Sequence, residues 1–245
     1  MAERVYPGVI ALAHVVFPAL GMKIRVEGGE NIPRTGPAVL ASNHVSYLDF
    51  IFAGWGARPS KRLVRFMAKE AVFNHRISGP LMRGMHHIPV DREAGSNSYR
   101  EALAKLKAGE VIGVFPEATI SRSFTVKEIK SGAVRMALAT KAPLIPVAVW
   151  GAQRMWTKGR PKELTKRHVS VLVYVGEPMY PARGDDPNAL TEELRRRMQE
   201  LLDRAQRDYP DSPKDDDDRW WLPAHLGGTA PAPDEARALD AAKPE

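Results

Sequence analysis

Cysteine is missing from all 245 residues. Disulfides, cysteine–zinc centres and thiol nucleophiles are therefore excluded. No serine stands in a Gly-x-Ser-x-Gly pattern, which removes the nucleophile elbow of serine hydrolases. Long apolar runs are also missing. The best candidate, residues 5–22, is interrupted by Pro7, Gly8, His14, Pro18 and Gly21. It is marginal in length for crossing a bilayer, and its helix breakers weaken it further. Its n-region has only Arg4 as a positive charge and no small-residue cleavage signal stands out, so it does not read as a secretory leader. A short helix is expected there, either lying at a membrane interface or capping the core.

What is present is apolar mass and a charge imbalance. Hydrophobic residues make up 44% of the chain, enough for one sizeable core. The net charge is +7, but the last 35 residues hold nine acidic and four basic side chains, leaving +12 on residues 1–210. A basic body suits an anionic partner: nucleic acid, an anionic membrane surface or a phosphorylated substrate. Scattered cations and the lack of a zinc-finger or RRM-type signature speak against nucleic acid.

Short apolar strands alternate with helical stretches. Strands are expected at 23–27, 38–42, 63–68, 88–90, 110–115, 144–150 and 169–175. Helices are expected at 47–55, with Ser46 as cap, and at 77–85, 98–108, 131–140 and 188–208. This is the pattern of an α/β fold: a single domain over 23–210 with a largely parallel mixed central sheet flanked by helices. Residues 1–22 form the apolar N-terminal segment. Residues 211–245 form an acidic, then Ala/Pro-rich tail, expected to be disordered from Gly227 on. Within it, Trp220 and Trp221 either fold back onto the domain or dip into a membrane interface. The arginines of 188–208 read as a solvated helix face.

In such sheets ligands gather at the carboxyl ends of strands. The polar residues that stand out sit there: His44 with Asp49, Lys69, Arg92 and Glu117. A histidine with a carboxylate five residues on is the minimum for a general base, because the carboxylate fixes the tautomer and stabilises the charged ring. His86 and His87 do not suggest a metal. Adjacent strand residues point to opposite faces, and no carboxylate cluster accompanies them.

Four blocks in fixed order resemble the signature of the glycerolipid acyltransferases that make phosphatidic acid from lysophosphatidic acid. They are Asn43-His44-Val45-Ser46-Tyr47-Leu48-Asp49, Gly84-Met85-His86-His87-Ile88-Pro89-Val90-Asp91-Arg92, Phe115-Pro116-Glu117-Ala118-Thr119-Ile120-Ser121 and Ala142-Pro143-Leu144-Ile145-Pro146-Val147-Ala148. The resemblance covers roughly residues 20–205 and implies acyl transfer from a thioester to a hydroxyl. His44 is the expected base and Asp49 its orienting carboxylate, the His–Asp half of a triad without the serine. The missing enzyme nucleophile is consistent with direct attack by the acceptor hydroxyl.

The resemblance places Arg92 and the third block, with Thr119, at the acceptor's phosphate, and Glu117 at its glycerol moiety. Lys69 is a second candidate cation. The third block departs from the usual Phe-Pro-Glu-Gly-Thr-Arg-Ser: Ala118 replaces the glycine and Ile120 the arginine. Either Arg122 or Arg135 supplies the missing charge, or the acceptor is another lysophospholipid, glycerol 3-phosphate or a glycolipid. A non-catalytic membrane-binding relative is the reading from another class. The implied partners are a lipid acceptor, an acyl thioester (acyl-CoA or acyl carrier protein) and an anionic membrane surface. No cofactor and no metal are expected, and the implied location is peripheral, at the cytoplasmic face of the cell membrane.

Overall fold

A seven-stranded mixed sheet organises the chain in the computed structural model, which describes residues 3, 5–91 and 95–242. In chain order the elements are α1 (Val5–Ala19), β1 (Lys23–Glu27), β2 (Ala38–Ser42), α2 (Asp49–Trp55), β3 (Val64–Lys69), α3 (Glu70–Asn74), α4 (Ser78–Gly84) and β4 (Ile88–Val90). They continue with α5 (Gly95–Lys107), β5 (Val111–Val114), α6 (Gly132–Thr140), β6 (Leu144–Trp150), β7 (Ser170–Val175), α7 (Pro187–Arg207) and α8 (Pro233–Ala242). The strand order is β1-β7-β6-β2-β5-β3-β4. Strands β6, β2, β5, β3 and β4 are mutually parallel; β7 runs antiparallel to β6 and carries β1 parallel to itself.

Helices cover both faces, so the central strands are apolar throughout and do not alternate. All seven residues of β6 are buried. On one face Val39, Ile112, Leu144 and Trp150 pack with Leu106 of α5, Met136 of α6 and Leu194, Met198 and Leu202 of α7. On the other, Leu40, Phe66, Val147 and Val173 pack with Phe52 of α2 and Phe17 of α1. Helix α7 starts where its sequence allows: the Asp186 carboxylate accepts the Asn188 and Ala189 N–H groups, and Pro187 occupies the first turn.

Two expectations need correction, and one short helix was not expected. Helix α2 begins at Asp49, not Tyr47, and Ser46 does not cap it. Instead the Ser46 Oγ takes the Leu48 N–H at 3.1 Å and donates to the Trp156 carbonyl at 2.7 Å. A short helix, α3, follows β3 directly. The tail is not disordered from Gly227 on: residues 227–242 include α8, with Ala230 and Ala236 buried. Composition misleads here because small alanines pack closely once one large group anchors the segment. That group is Trp221, which is fully buried against Tyr209 under the Arg154 guanidinium. Of the two readings for the tryptophan pair, Trp221 has folded back onto the domain.

Candidate active site

Strands β2, β3, β4 and β5 are parallel, so their carboxyl ends lie along one edge of the sheet. Immediately after β2, Asn43 extends the ladder with its side chain. Its amide donates to the Val149 carbonyl at 3.0 Å and accepts the Val149 N–H at 2.7 Å. The backbone is thereby freed to turn, and His44 heads the turn. Its Nδ1 lies 3.1 Å from Asp49 Oδ2. That oxygen also accepts the Val45 and Ser46 N–H groups, each at 2.7 Å. Asp49 is fully buried, and its second oxygen has no partner among the described residues. Burial pushes the Asp49 carboxyl up; its bonds to His44 and to the Ser46 and Val45 N–H groups pull against that. Imidazole and carboxylate are thus held together by a turn of six residues, leaving Nε2 as the working nitrogen.

The loop after β5 closes over this turn. Glu117 Oε1 accepts the His44 N–H at 2.8 Å, and Ser121 N–H donates to the His44 carbonyl at 2.7 Å. Both backbone groups of His44 are therefore fixed by the third block. The ring of His44 stacks on Phe115, with centroids 4.3 Å apart. Glu117 is buried, and its Oε2 accepts the Lys127 N–H at 3.1 Å. Burial raises the Glu117 carboxyl to about 7; the Lys127 and His44 N–H groups oppose the rise. Its observed partners are backbone groups, so it latches one loop to the other.

The hydroxyls nearby are committed elsewhere. Ser42, Ser46, Ser121 and Ser123 are buried and bond to carbonyls or to one another, not to His44. Among the described residues no serine hydroxyl is bonded to the His44 ring.

The candidate cations separate. Arg122 ion-pairs with Asp240 of α8 at 3.1 Å. Thr119 accepts a hydrogen bond from Lys127, whose ammonium also reaches Asp240 at 3.3 Å. Arg135 stands apart, exposed on α6 with its Nε donating to Ser131 Oγ. Lys69 is exposed at the end of β3. Arg92 lies outside the described residues. Ile120 is 2% exposed, so that position is core, not ligand surface. His87 is buried with its Nδ1 accepting the Phe66 N–H at 3.0 Å, and burial lowers its pKa to about 3. Among the described residues no group of three His, Asp or Glu side chains is placed to hold a metal ion. Lys127, Lys158 and Asp240 carry no motif and were not singled out by sequence reasoning.

A buried carboxylate bonded to an imidazole at the carboxyl edge of parallel strands, with no serine hydroxyl bonded to that imidazole among the described residues, is an arrangement suited to general-base chemistry. The chain belongs to the Acyltransferase family, whose pattern residues 23–150 match. It is 34% identical over 185 residues to the 1-acyl-sn-glycerol-3-phosphate acyltransferase of Bacillus subtilis, covering 73% of this chain and 87% of that one. It is 28% identical over 186 residues to the chloroplastic 1-acyl-sn-glycerol-3-phosphate acyltransferase LPAT1 of Arabidopsis thaliana, covering 74% of this chain and 49% of the longer relative. The fold is shared with the crystal structure of PlsC, the 1-acyl-sn-glycerophosphate acyltransferase of Thermotoga maritima. The TM-score is 0.68 at 23% identity, over 84% of this chain and 81% of that one.

Proposed function

We propose that this acyltransferase moves a fatty acyl group from a thioester, acyl-CoA or acyl carrier protein, to the free hydroxyl of 1-acyl-sn-glycerol 3-phosphate, giving phosphatidic acid. The observation that carries this is the His44–Asp49 pair with every neighbouring serine already bonded elsewhere. His44 Nε2 takes the acceptor's hydroxyl proton as the oxygen attacks the thioester carbonyl. The new C–O bond forms, the C–S bond breaks, and the leaving thiolate recovers the proton from the imidazolium, which Asp49 stabilises meanwhile. The named activities of the relatives support lysophosphatidic acid as acceptor.

No described helix is long and apolar enough to cross a membrane. Helix α1 presents Phe17 to the core and leaves Leu12 and Val15 61% and 67% exposed. Tyr6 of α1 packs with Met82 of α4, and the neighbouring Ile77 and Leu81 are exposed as well. An apolar face of this kind favours peripheral work at a lipid surface, and we assign that work to the cytoplasmic side.

A second reading changes the acceptor, because buried Ile120 stands where the family carries an arginine. Purified protein with labelled acyl-CoA and a panel of lysophosphatidic acid, lysophosphatidylcholine, glycerol 3-phosphate and monoacylglycerol separates the two. Preferential labelling of lysophosphatidic acid is expected; preference for another acceptor replaces the first reading with the second.

A further inference from the structure

Three cations from two loops converge on one carboxylate. Asp240 Oδ1 is 3.1 Å from Arg122 Nε and 3.1 Å from Lys158 Nζ, and its Oδ2 is 3.3 Å from Lys127 Nζ. The cations are built in, not draped over the surface: the Lys158 side chain is 9% exposed and that of Arg122 17%. Arg122 lies so close to Gly159 that a Cβ there would sit 2.8 Å from its Nη1.

The cluster is also stapled to the catalytic turn. Thr157, beside Lys158, donates to the Val45 carbonyl at 2.7 Å, and Ser46 and Tyr47 bond to the Trp156 carbonyl. Lys127 shares the Glu117 carboxylate with His44 through its backbone N–H. The loops that carry the cations are therefore tied directly to the backbone of the turn that carries His44.

The anchoring of α8, by contrast, is slight. It has ten residues, only Ala236 of which is buried in full, and Leu239 faces outward. Partial burial by itself would raise the Asp240 carboxyl; its contacts with Lys158, Lys127 and Arg122 outweigh that and hold it below the ordinary carboxylate range. Charge attraction is the main tie that holds the helix down. A phosphate monoester has up to two negative charges and three acceptor oxygens, so it can engage all three cations at once.

We infer that Arg122, Lys127 and Lys158 form the site for a phosphate monoester on the acceptor, and that Asp240 of α8 is its tethered occupant, displaced when the substrate arrives. This rests on the acceptor assigned above. It supplies, from other positions, the charge that Ile120 lacks.

The test is phosphate binding by the intact chain, followed by ³¹P NMR at constant ionic strength with inorganic phosphate as probe. Asp240→Asn is expected to tighten binding by about tenfold, and adding Lys158→Ala to abolish that gain. With lysophosphatidic acid in vesicles the same Asp240→Asn change should lower KM by about tenfold with kcat little altered, while KM for uncharged monoacylglycerol stays put. The unsubstituted chain gives an independent readout: saturating phosphate frees α8 and speeds tryptic cleavage at Arg237, where chloride of equal ionic strength does not. Equal phosphate affinity in both proteins, or cleavage insensitive to phosphate, overturns the site. A KM that rises in Asp240→Asn also overturns it, by making α8 a helpful cover. Tighter phosphate binding without acylation of lysophosphatidic acid keeps the anion site and removes the acceptor assigned to it.

Discussion

The two loops that make the site are wired in opposite ways. The loop after β2 makes its functional pair locally: Asp49 closes on His44, Val45 and Ser46, all within five residues. The loop after β5 is held from far away. Glu117 reaches His44 across 73 residues, and Arg122 reaches Asp240 across 118. On the proposed reading, one loop carries the base, ready-made, while the other locks it in place and brings charge for a substrate. Short-range wiring leaves a motif in the sequence, and long-range wiring does not.

Asp49→Asn strikes the first loop hardest. An amide oxygen can keep the three bonds that Oδ2 makes, while the nitrogen takes the place of the unpartnered Oδ1. Geometry is preserved and only the charge is lost. A fall in kcat of about 10²–10⁴ with an unchanged circular dichroism spectrum is expected. Near-normal turnover would show that the pair does not act as a unit.

Glu117 joins the two loops, and its effect is on stability. Its carboxyl sits at about 7 in the fold, against an ordinary 4.5. The folded chain therefore keeps a proton that the unfolded chain releases. The stability this confers is complete below pH 4.5 and is lost as pH rises through 7, amounting to about 3 kcal/mol. Thermal unfolding from pH 5 to 8 should show this decline in the unsubstituted protein and a flatter profile in Glu117→Gln. Parallel profiles would mean that the proton is held elsewhere.

The smallest expected effect lies in the second loop alone. Ala118 has φ of 65° and an exposed methyl, a left-handed conformation that costs a non-glycine residue roughly 1–2 kcal/mol. Ala118→Gly removes that strain but gains chain entropy when unfolded, so a net rise of about 1 kcal/mol or less in unfolding free energy is expected. A clear loss of stability would mean that the methyl packs against something the loop needs.

Much of the fold was legible because burial on both faces leaves near-continuous apolar strands, as in Leu144–Trp150. The parallel edge, and with it the neighbourhood of His44, Asp49 and Glu117, followed from strand–helix alternation. The reversal of β1 and β7 did not, since an apolar strand reads alike in either direction. Helix α8 was hidden by its alanines, and the Lys127–Lys158–Asp240 contacts by distances along the chain that no local pattern records. Arg135 looked as good a candidate cation as Arg122 in the sequence; only the structure separates the exposed one from the one set beside Gly159.

Acylation of lysophosphatidic acid by His44→Ala, with fold checked by circular dichroism and thermal unfolding, tests the central claim most directly. The account predicts an intact fold and a rate lower by at least about 10²–10⁴. A folded variant with full activity would contradict His44 as the base that activates the acceptor hydroxyl.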